Sequence, residues 1–292
     1  MKVFIAQLIA TGLTMGGVYS LIAVGLHLVY NATGVFNMSQ GGLVAWGGIL
    51  LFFTSVAYGF PLWMSFIITV SIVVAIAIFL QLVAVSTVRG LPHLVPVLNC
   101  LFFGVVLDST SGIVLKGQYK SVPPFSGGAS FQILGAGISP QSVWVLATTC
   151  VILVSLLLFF RRSTWGRVMV ANADNPEGIK LIGANPSHIS LLAFVLGGAV
   201  AAIAGLLISP LTGIKGEVGL MFTLKGFAAA MVGGITSTIG VISGGFLIGL
   251  FEAFIGGFVS SSLRDAFVYS LIIFILVVRP TGIMGRKEIE KV

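Results

Sequence analysis

The sequence predicts an all-α polytopic membrane protein with about eight transmembrane helices and one short broken or re-entrant helix. Hydrophobic residues make up 57% of the 292 residues and charged residues only 8%, with a mean hydropathy of +1.14. Soluble domains carry about 25% charged residues. No stretch is polar enough to form a separate soluble domain, so we interpret residues 1–292 as a single transmembrane domain.

Apolar runs long enough to cross a bilayer follow one another along the whole chain. A transmembrane helix needs about 20 mostly apolar residues. The first run begins after Lys2 and has no small-residue cleavage site, which favours a span over a signal peptide. The candidate spans lie at 4–30, 40–57, 62–88, 94–115, 142–160, 187–210, 239–258 and 262–279, with a shorter run at 223–235.

The basic residues lie mainly at the ends of these runs, so we interpret the net charge of +7 as orientation information rather than as a nucleic-acid surface. Arg161, Arg162, Arg167 and Lys180 predict that the loop at about 161–188 is cytoplasmic. Arg279, Arg286, Lys287 and Lys291 predict the same for the C-terminus. Because successive spans cross the membrane in opposite directions, this places the N-terminus outside. Lys116 and Lys120 lie in a loop that is then also outside, so they are exceptions to the rule that basic residues lie on the cytoplasmic side.

The second half of the chain contains a predicted broken helix. The segments before and after residues 223–258 are both placed outside, so this stretch must enter the membrane and return to the same side. This favours two helices hinged at 233–238. Thr33-Gly34 and Thr212-Gly213 each follow a long glycine-rich span and precede a helix of small residues. These two similar segments suggest an internal repeat. The charge pattern puts the first segment inside and the second outside, as an inverted repeat requires. Chance similarity between glycine-rich spans is the alternative.

The polar loop 161–188 contains signals for a short helix of about two turns, too short to be stable alone. Asn175 can cap its beginning, Pro176 suits the first helical position, and Gly183 can end it. Asp174 and Glu177 place negative charge at its positive end. A docking site for a partner protein and an ordinary connecting loop both fit these features.

Polar residues inside the apolar runs are the candidates for a translocation pathway. Glu252 is costly at that depth and should face the bundle interior or water, either lining a pathway or packing as a protonated or hydrogen-bonded residue. Asn37, Gln40 and Asn99 are uncharged candidates for contact with a small solute, and Asn37 and Gln40 could instead pair with freed backbone groups. Asp108 is expected near the outer end of its span. Lys215 and Lys225 are expected outside, where they could meet an anionic solute group or a delivery protein. The favoured interpretation is that both are interfacial lysines with solvated ammonium groups.

Small residues recur at helical spacing in two of the spans. Gly245, Gly249 and Gly257 form one stripe with Ala253, and Gly12 and Gly16 form another with Ser20. Small residues let membrane helices approach closely. The two stripes therefore predict helix packing sites.

The sequence contains no motif for chemistry. Patterns for metalloproteases, serine hydrolases and the nucleotide-binding P-loop are absent, and His27, His93 and His188 stand isolated. We therefore expect neither an enzyme nor a metal site. Energy for transport must come from an ion gradient or from another protein.

Several segments resemble the branched-chain amino acid ABC importer permeases. The resemblance runs nearly end to end in the same order, and Glu177 and Gly183 keep the spacing of the family's ATPase-docking loop although Gly178 and Ile179 replace its two alanines. The segments that carry it are 12–26, 34–41, Trp165-Gly166-Arg167, Asp174-Asn175-Pro176-Glu177, Lys225-Gly226-Phe227-Ala228-Ala229, Gly233-Gly234 and Arg279 to Gly285.

The resemblance implies a permease subunit in a bacterial inner membrane that moves a small amino-acid-like solute inward. It also implies a second permease subunit, two ATPase subunits that hold ATP and Mg²⁺, and an extracytoplasmic solute-binding protein. Coupling to the ATPase would involve Arg167, Asp174, Asn175, Pro176, Glu177 and Gly183. The rival interpretation is an autonomous secondary transporter in which Glu252 and Asp108 couple protons.

Overall fold

The computed structural model describes residues 1–88, 90–92, 94–127, 130–133, 135–174, 176–181, 183–279 and 281–285. These residues form a helical bundle with one small antiparallel hairpin, β1 (Phe131–Ile133) and β2 (Ala136–Ile138). The helices are α1 (Lys2–Thr33), α2 (Gln40–Leu51), α3 (Leu62–Leu80), α4 (Leu94–Leu115), α5 (Pro140–Arg162), α6 (Thr164–Asp174), α7 (Pro176–Leu181), α8 (Pro186–Thr212), α9 (Gly219–Gly233), α10 (Thr238–Phe258) and α11 (Arg264–Val278).

The predicted spans correspond closely to these helices. Within the described residues, seven helical segments are long and apolar enough to cross a membrane, and α2 and α3 reach this length through π-helical and 3₁₀ continuations. The predicted eighth span at 262–279 forms the 15-residue helix α11. The hinged pair is also present, because α9 ends at Gly233 and α10 begins at Thr238. The all-α polytopic fold is thereby confirmed.

The two halves of the chain are arranged in opposite directions. Gly25 of α1 lies beside Gly197 of α8, and the end of α1 at Thr33 lines the same cavity as the beginning of α8 at Pro186, so the two helices are antiparallel. Helix α1 packs on α10 and α9, and α8 correspondingly packs on α3 and α2. This exchange of partners is the arrangement that an inverted repeat produces.

The equivalent turns of the two halves each begin with a glycine at positive φ. Helix α1 ends at Gly34 with φ of 70°, and α8 ends at Gly213 with φ of 68°, a left-handed region that favours glycine. Each turn leads back into the bundle, where α2 and α9 begin beside each other. The backbone N–H of Gly41 donates to Thr223 Oγ1 over 2.9 Å. Helices α2 and α9 therefore both start inside the bundle.

The glycine stripes lie where α1 and α10 cross. A Cβ atom on Gly249 would overlap backbone atoms of Gly16 and Gly12, and one on Gly245 would overlap Ser20. Gly257 contacts Leu8 at the other end of the same crossing. The absence of side chains lets the two backbones touch, which maximises dispersion contacts where water supplies no driving force.

Candidate functional site

The polar loop forms two short helices at the end of the bundle where α1 ends and α8 begins. Asn172 of α6 donates from Nδ2 to the carbonyl oxygen of Ala32 over 2.6 Å, which holds α6 to the last turn of α1. Helix α7 is six residues long, shorter than the predicted two turns. Helix α6 is thereby attached to the end of α1.

Helix α7 ends as its sequence predicts. Gly183 adopts φ of 83°, and its N–H donates to the carbonyl oxygen of Lys180 over 3.0 Å. Asn185 then caps α8, because its side chain accepts from the N–H of Ser187 over 2.8 Å. Ile179 is buried against the bundle, whereas the apolar side chain of Leu181 is 90% exposed.

The proposed coupling residues are only partly described. Arg167 lies exposed on α6, and Gly183 lies in the turn after α7. Asn175 lies outside the described residues, as do the side chains of Asp174, Pro176 and Glu177. Their role in coupling stays a prediction.

The polar residues before α2 are buried and bonded to one another. Asn37 Nδ2 donates to Gln40 Oε1 over 3.1 Å, and Gln40 Nε2 donates to the carbonyl oxygen of Gly197 over 3.0 Å. Asn99 donates from Nδ2 to the carbonyl oxygen of Ala84 over 3.2 Å. These bonds hold the turn before α2 and the beginning of α4 in place. A pathway role for the three residues stays a prediction.

Asp108 caps the N-terminal end of helix α9. Its Oδ1 accepts from the N–H of Gly219 over 2.7 Å and its Oδ2 from the N–H of Leu220 over 3.1 Å. The first N–H groups of a helix lack partners within the helix, and the positive end of its dipole favours an anion. Asp108 thus connects α4 to α9 and does not simply face solvent.

We expect Asp108→Asn to loosen the beginning of α9. An asparagine side chain offers one acceptor oxygen for two N–H groups and removes the negative charge, a loss of about 1–2 kcal/mol. Hydrogen exchange at residues 219–222 should accelerate about tenfold if the loss is 1.4 kcal/mol. The exposed neighbour variant Ser109→Ala should leave that exchange unchanged, and equal exchange in both variants would argue against the cap.

A group of charged residues, here called the ion cluster, lies between α9, α10 and α11. Lys225 Nζ lies 2.8 Å from Glu252 Oε1 and 2.9 Å from Asp265 Oδ1. Arg264 Nη1 lies 3.6 Å from Glu252 Oε1, and the hydroxyl of Tyr19 on α1 accepts from Lys225 over 3.4 Å. Lys225 is 1% exposed and Glu252 4% exposed. The interior position predicted for Glu252 is confirmed.

The expectation that Lys225 is a solvated interfacial lysine is wrong. Its ammonium group is buried because two carboxylates from neighbouring helices neutralise it, a pairing that sequence distance conceals. Sequence reasoning also missed His27, whose ring nitrogens bond the carbonyl oxygen of Ile235 at 2.5 Å and Thr238 Oγ1 at 2.8 Å. The signal available for both was a single titratable residue within an apolar run.

The acidic residues of the rival mechanism have separate partners. Asp108 binds the beginning of α9, and Glu252 pairs with Lys225 in the ion cluster. A proton-coupling pair would face one cavity. The arrangement of these two carboxylates therefore favours the permease interpretation.

Comparison with known proteins agrees with these features. Residues 8–276 match the family model described as branched-chain amino acid transport system / permease component. The high-affinity branched-chain amino acid transport system permease protein BraD of Pseudomonas aeruginosa is 31% identical, with 98% of this chain and 97% of that protein covered. Its counterpart LivH of Escherichia coli K12 is 29% identical, with 99% and 98% covered.

A more distant relative is named for a different solute. The fructose import permease protein FrcC of Rhizobium meliloti is 22% identical, with 86% of this chain and 75% of that protein covered. The likeness thus extends beyond amino-acid permeases, whereas the family match covers nearly the whole chain. The motifs, the helical bundle and this match lead to one conclusion: the chain belongs to the branched-chain amino acid transport system permease family and is a membrane-spanning permease subunit.

Proposed function

We propose that this chain is a permease subunit of an ATP-driven importer of branched-chain amino acids in a bacterial inner membrane. The observation that carries the proposal is its full-length likeness to BraD and LivH, whose names specify that solute class. The chain moves the solute without chemical change. ATP and Mg²⁺ bind to two partner ATPase subunits, and an extracytoplasmic binding protein delivers the solute.

Helices α6 and α7 form the contact with the ATPase, on the cytoplasmic side with the C-terminus. Leu181 is exposed at the end of α7, so its side chain is accessible to a docking partner. Closure of the ATPases displaces α7, and the Asn172 contact passes this movement to α1. Arg167, Asp174, Asn175, Glu177 and Gly183 are the further proposed contributors.

A second permease subunit covers the open face of α9. Leu220, Met221 and Leu224 are exposed on this helix, which begins inside the bundle. Helices interrupted at membrane depth are found where protein or a water-filled cavity lies beside them. This face of α9 therefore lines the contact with the second subunit and the solute pathway between the subunits.

We expect the chain, expressed with its partner subunits, to purify as a complex whose ATPase activity rises with leucine-loaded binding protein. Proteoliposomes containing this complex should accumulate leucine only when ATP is supplied on the ATPase side. Fructose and the binding protein without solute serve as controls. Stimulation by fructose but not by leucine, isoleucine or valine would contradict the proposed solute class.

A further inference from the structure

The ion cluster connects four helices at one point inside the bundle. Lys225 belongs to α9, Glu252 to α10, Asp265 to α11 and Tyr19 to α1. The ammonium group of Lys225 is the group that these partners share. Coupling through α7 and capping by Asp108 leave this cluster without a role.

Helix α9 depends on its neighbours for its position along the membrane normal. It has 15 residues and begins inside the bundle, so its own length does not fix its height in the membrane. Asp108 holds its first N–H groups. Lys225, almost two turns further along, provides the ionic contact to α10 and α11. Leu220 and Leu224, on a different face of α9, remain exposed.

Net stability is a poor explanation for the ion cluster. Burying charges costs more free energy than their attraction commonly returns, and packed apolar residues are often as stable. Within the described part of the chain, Glu252 Oε2 and Asp265 Oδ1 are buried without a hydrogen-bond partner, and Asp265 Oδ1 meets Lys225 only as an ion-pair contact of 2.9 Å. A buried polar network that is only partly satisfied contributes little stability. In some proteins, buried polar or ionic groups instead specify the register of helices.

We propose that Lys225 is a positioning residue for transport. Its pairing with Glu252 and Asp265 holds the re-entrant helix α9 at a defined height, so that α9, α10 and α11 move together during the transport cycle. The inference rests on the importer function proposed above. Lys225 does not contact the solute in this role, because its ammonium group is engaged by the two carboxylates.

The first test compares Lys225→Met with Lys116→Met in the complete importer. Lys116 is exposed in the loop after α4, so its variant controls for loss of one lysine. Lys225→Met removes the cation that the two carboxylates share and leaves Glu252 only its 3.6 Å contact with Arg264 Nη1. Removing one partner of a buried pair is strongly destabilising. We expect leucine uptake to fall at least about tenfold for Lys225→Met and to stay unchanged for Lys116→Met. Normal uptake by Lys225→Met would overturn the proposal.

The second test separates positioning from folding. The triple variant Lys225→Met, Glu252→Gln, Asp265→Asn removes the ion pairs without leaving an uncompensated charge in the cluster's three central residues. We expect it to assemble in wild-type amounts, yet to hydrolyse ATP with little leucine uptake per ATP. Wild-type coupling in this variant would overturn the proposal. Failure to assemble would also overturn it, because the ion cluster would then be a folding element.

Hydrogen exchange provides a readout that does not depend on the solute. Amides of α9 in the triple variant should exchange faster than in the wild-type complex, whereas those of α8 should be unchanged. Unchanged exchange throughout α9 would overturn the proposal. If the wild-type complex does not transport leucine, the proposed solute is wrong, but the exchange comparison still decides the role of Lys225.

Discussion

Gly249→Ala should strongly reduce the amount of folded permease. A methyl group at this position would overlap the Cα and N atoms of Gly16 and the carbonyl oxygen of Gly12, which are backbone atoms that cannot rotate away. Separation of α1 and α10 would disturb the most extensive helix contact in the described bundle. Overpacking of this kind costs about 1–3 kcal/mol and occasionally more.

The same substitution at Gly256 provides a matched control on α10. There a Cβ atom would meet only the flexible side chain of Arg264, at ordinary contact distances of 3.6 Å to Cδ and 3.8 Å to Nε. Both changes gain about 1 kcal/mol of helix propensity. Thermal unfolding followed by size-exclusion chromatography should therefore show a midpoint below that of the wild type for Gly249→Ala, and a midpoint equal to or slightly above it for Gly256→Ala. Equal midpoints would refute the close-packing account of this stripe.

Leu181→Asp should uncouple the permease from its ATPase while leaving it inserted in the membrane. Burial of a leucine side chain in an interface contributes about 1.5–3 kcal/mol, which corresponds to a tenfold or greater change in the affinity of the permease for its ATPase. Because fewer permeases would then hold an ATPase, binding-protein-stimulated ATPase activity should fall as well. The substitution lies on an exposed side chain, so the bundle itself should fold normally.

Leu181→Met is the control for this prediction, because it keeps an apolar side chain of similar volume on a helix. We expect it to retain most of the stimulated activity. Co-purification of the ATPase with each variant distinguishes loss of docking from loss of later steps. Full stimulation of the Leu181→Asp complex would exclude this side chain from the interface.

Local sequence signals predicted most of the fold. Apolar runs marked the spans, and Gly233 to Thr238 marked the break between α9 and α10. Gly183 and Asn185 marked the end of α7 and the beginning of α8. Each of these features depends on residues close together in the chain, such as a cap or a left-handed glycine.

The interior contacts were less predictable, because they depend on residues far apart in the chain. Lys225 and Glu252 pair across a sequence separation of 27 residues, and Asp108 reaches Gly219 across 111 residues. A lysine or an aspartate in a sequence does not indicate which distant residue it will contact. The buried pairing of Lys225 required the hinge that turns α10 back along α9, and the sequence marked the hinge but not the register of the two helices.

Uptake by the isolated chain tests the central claim most directly, namely that this bundle is driven by partner ATPases through α7. The purified chain alone, in proteoliposomes with an imposed proton gradient, should not concentrate leucine. The complete complex in matched vesicles should do so when ATP is added. Accumulation by the isolated chain, driven by the gradient and abolished by Glu252→Gln, would contradict the account and support a secondary transporter.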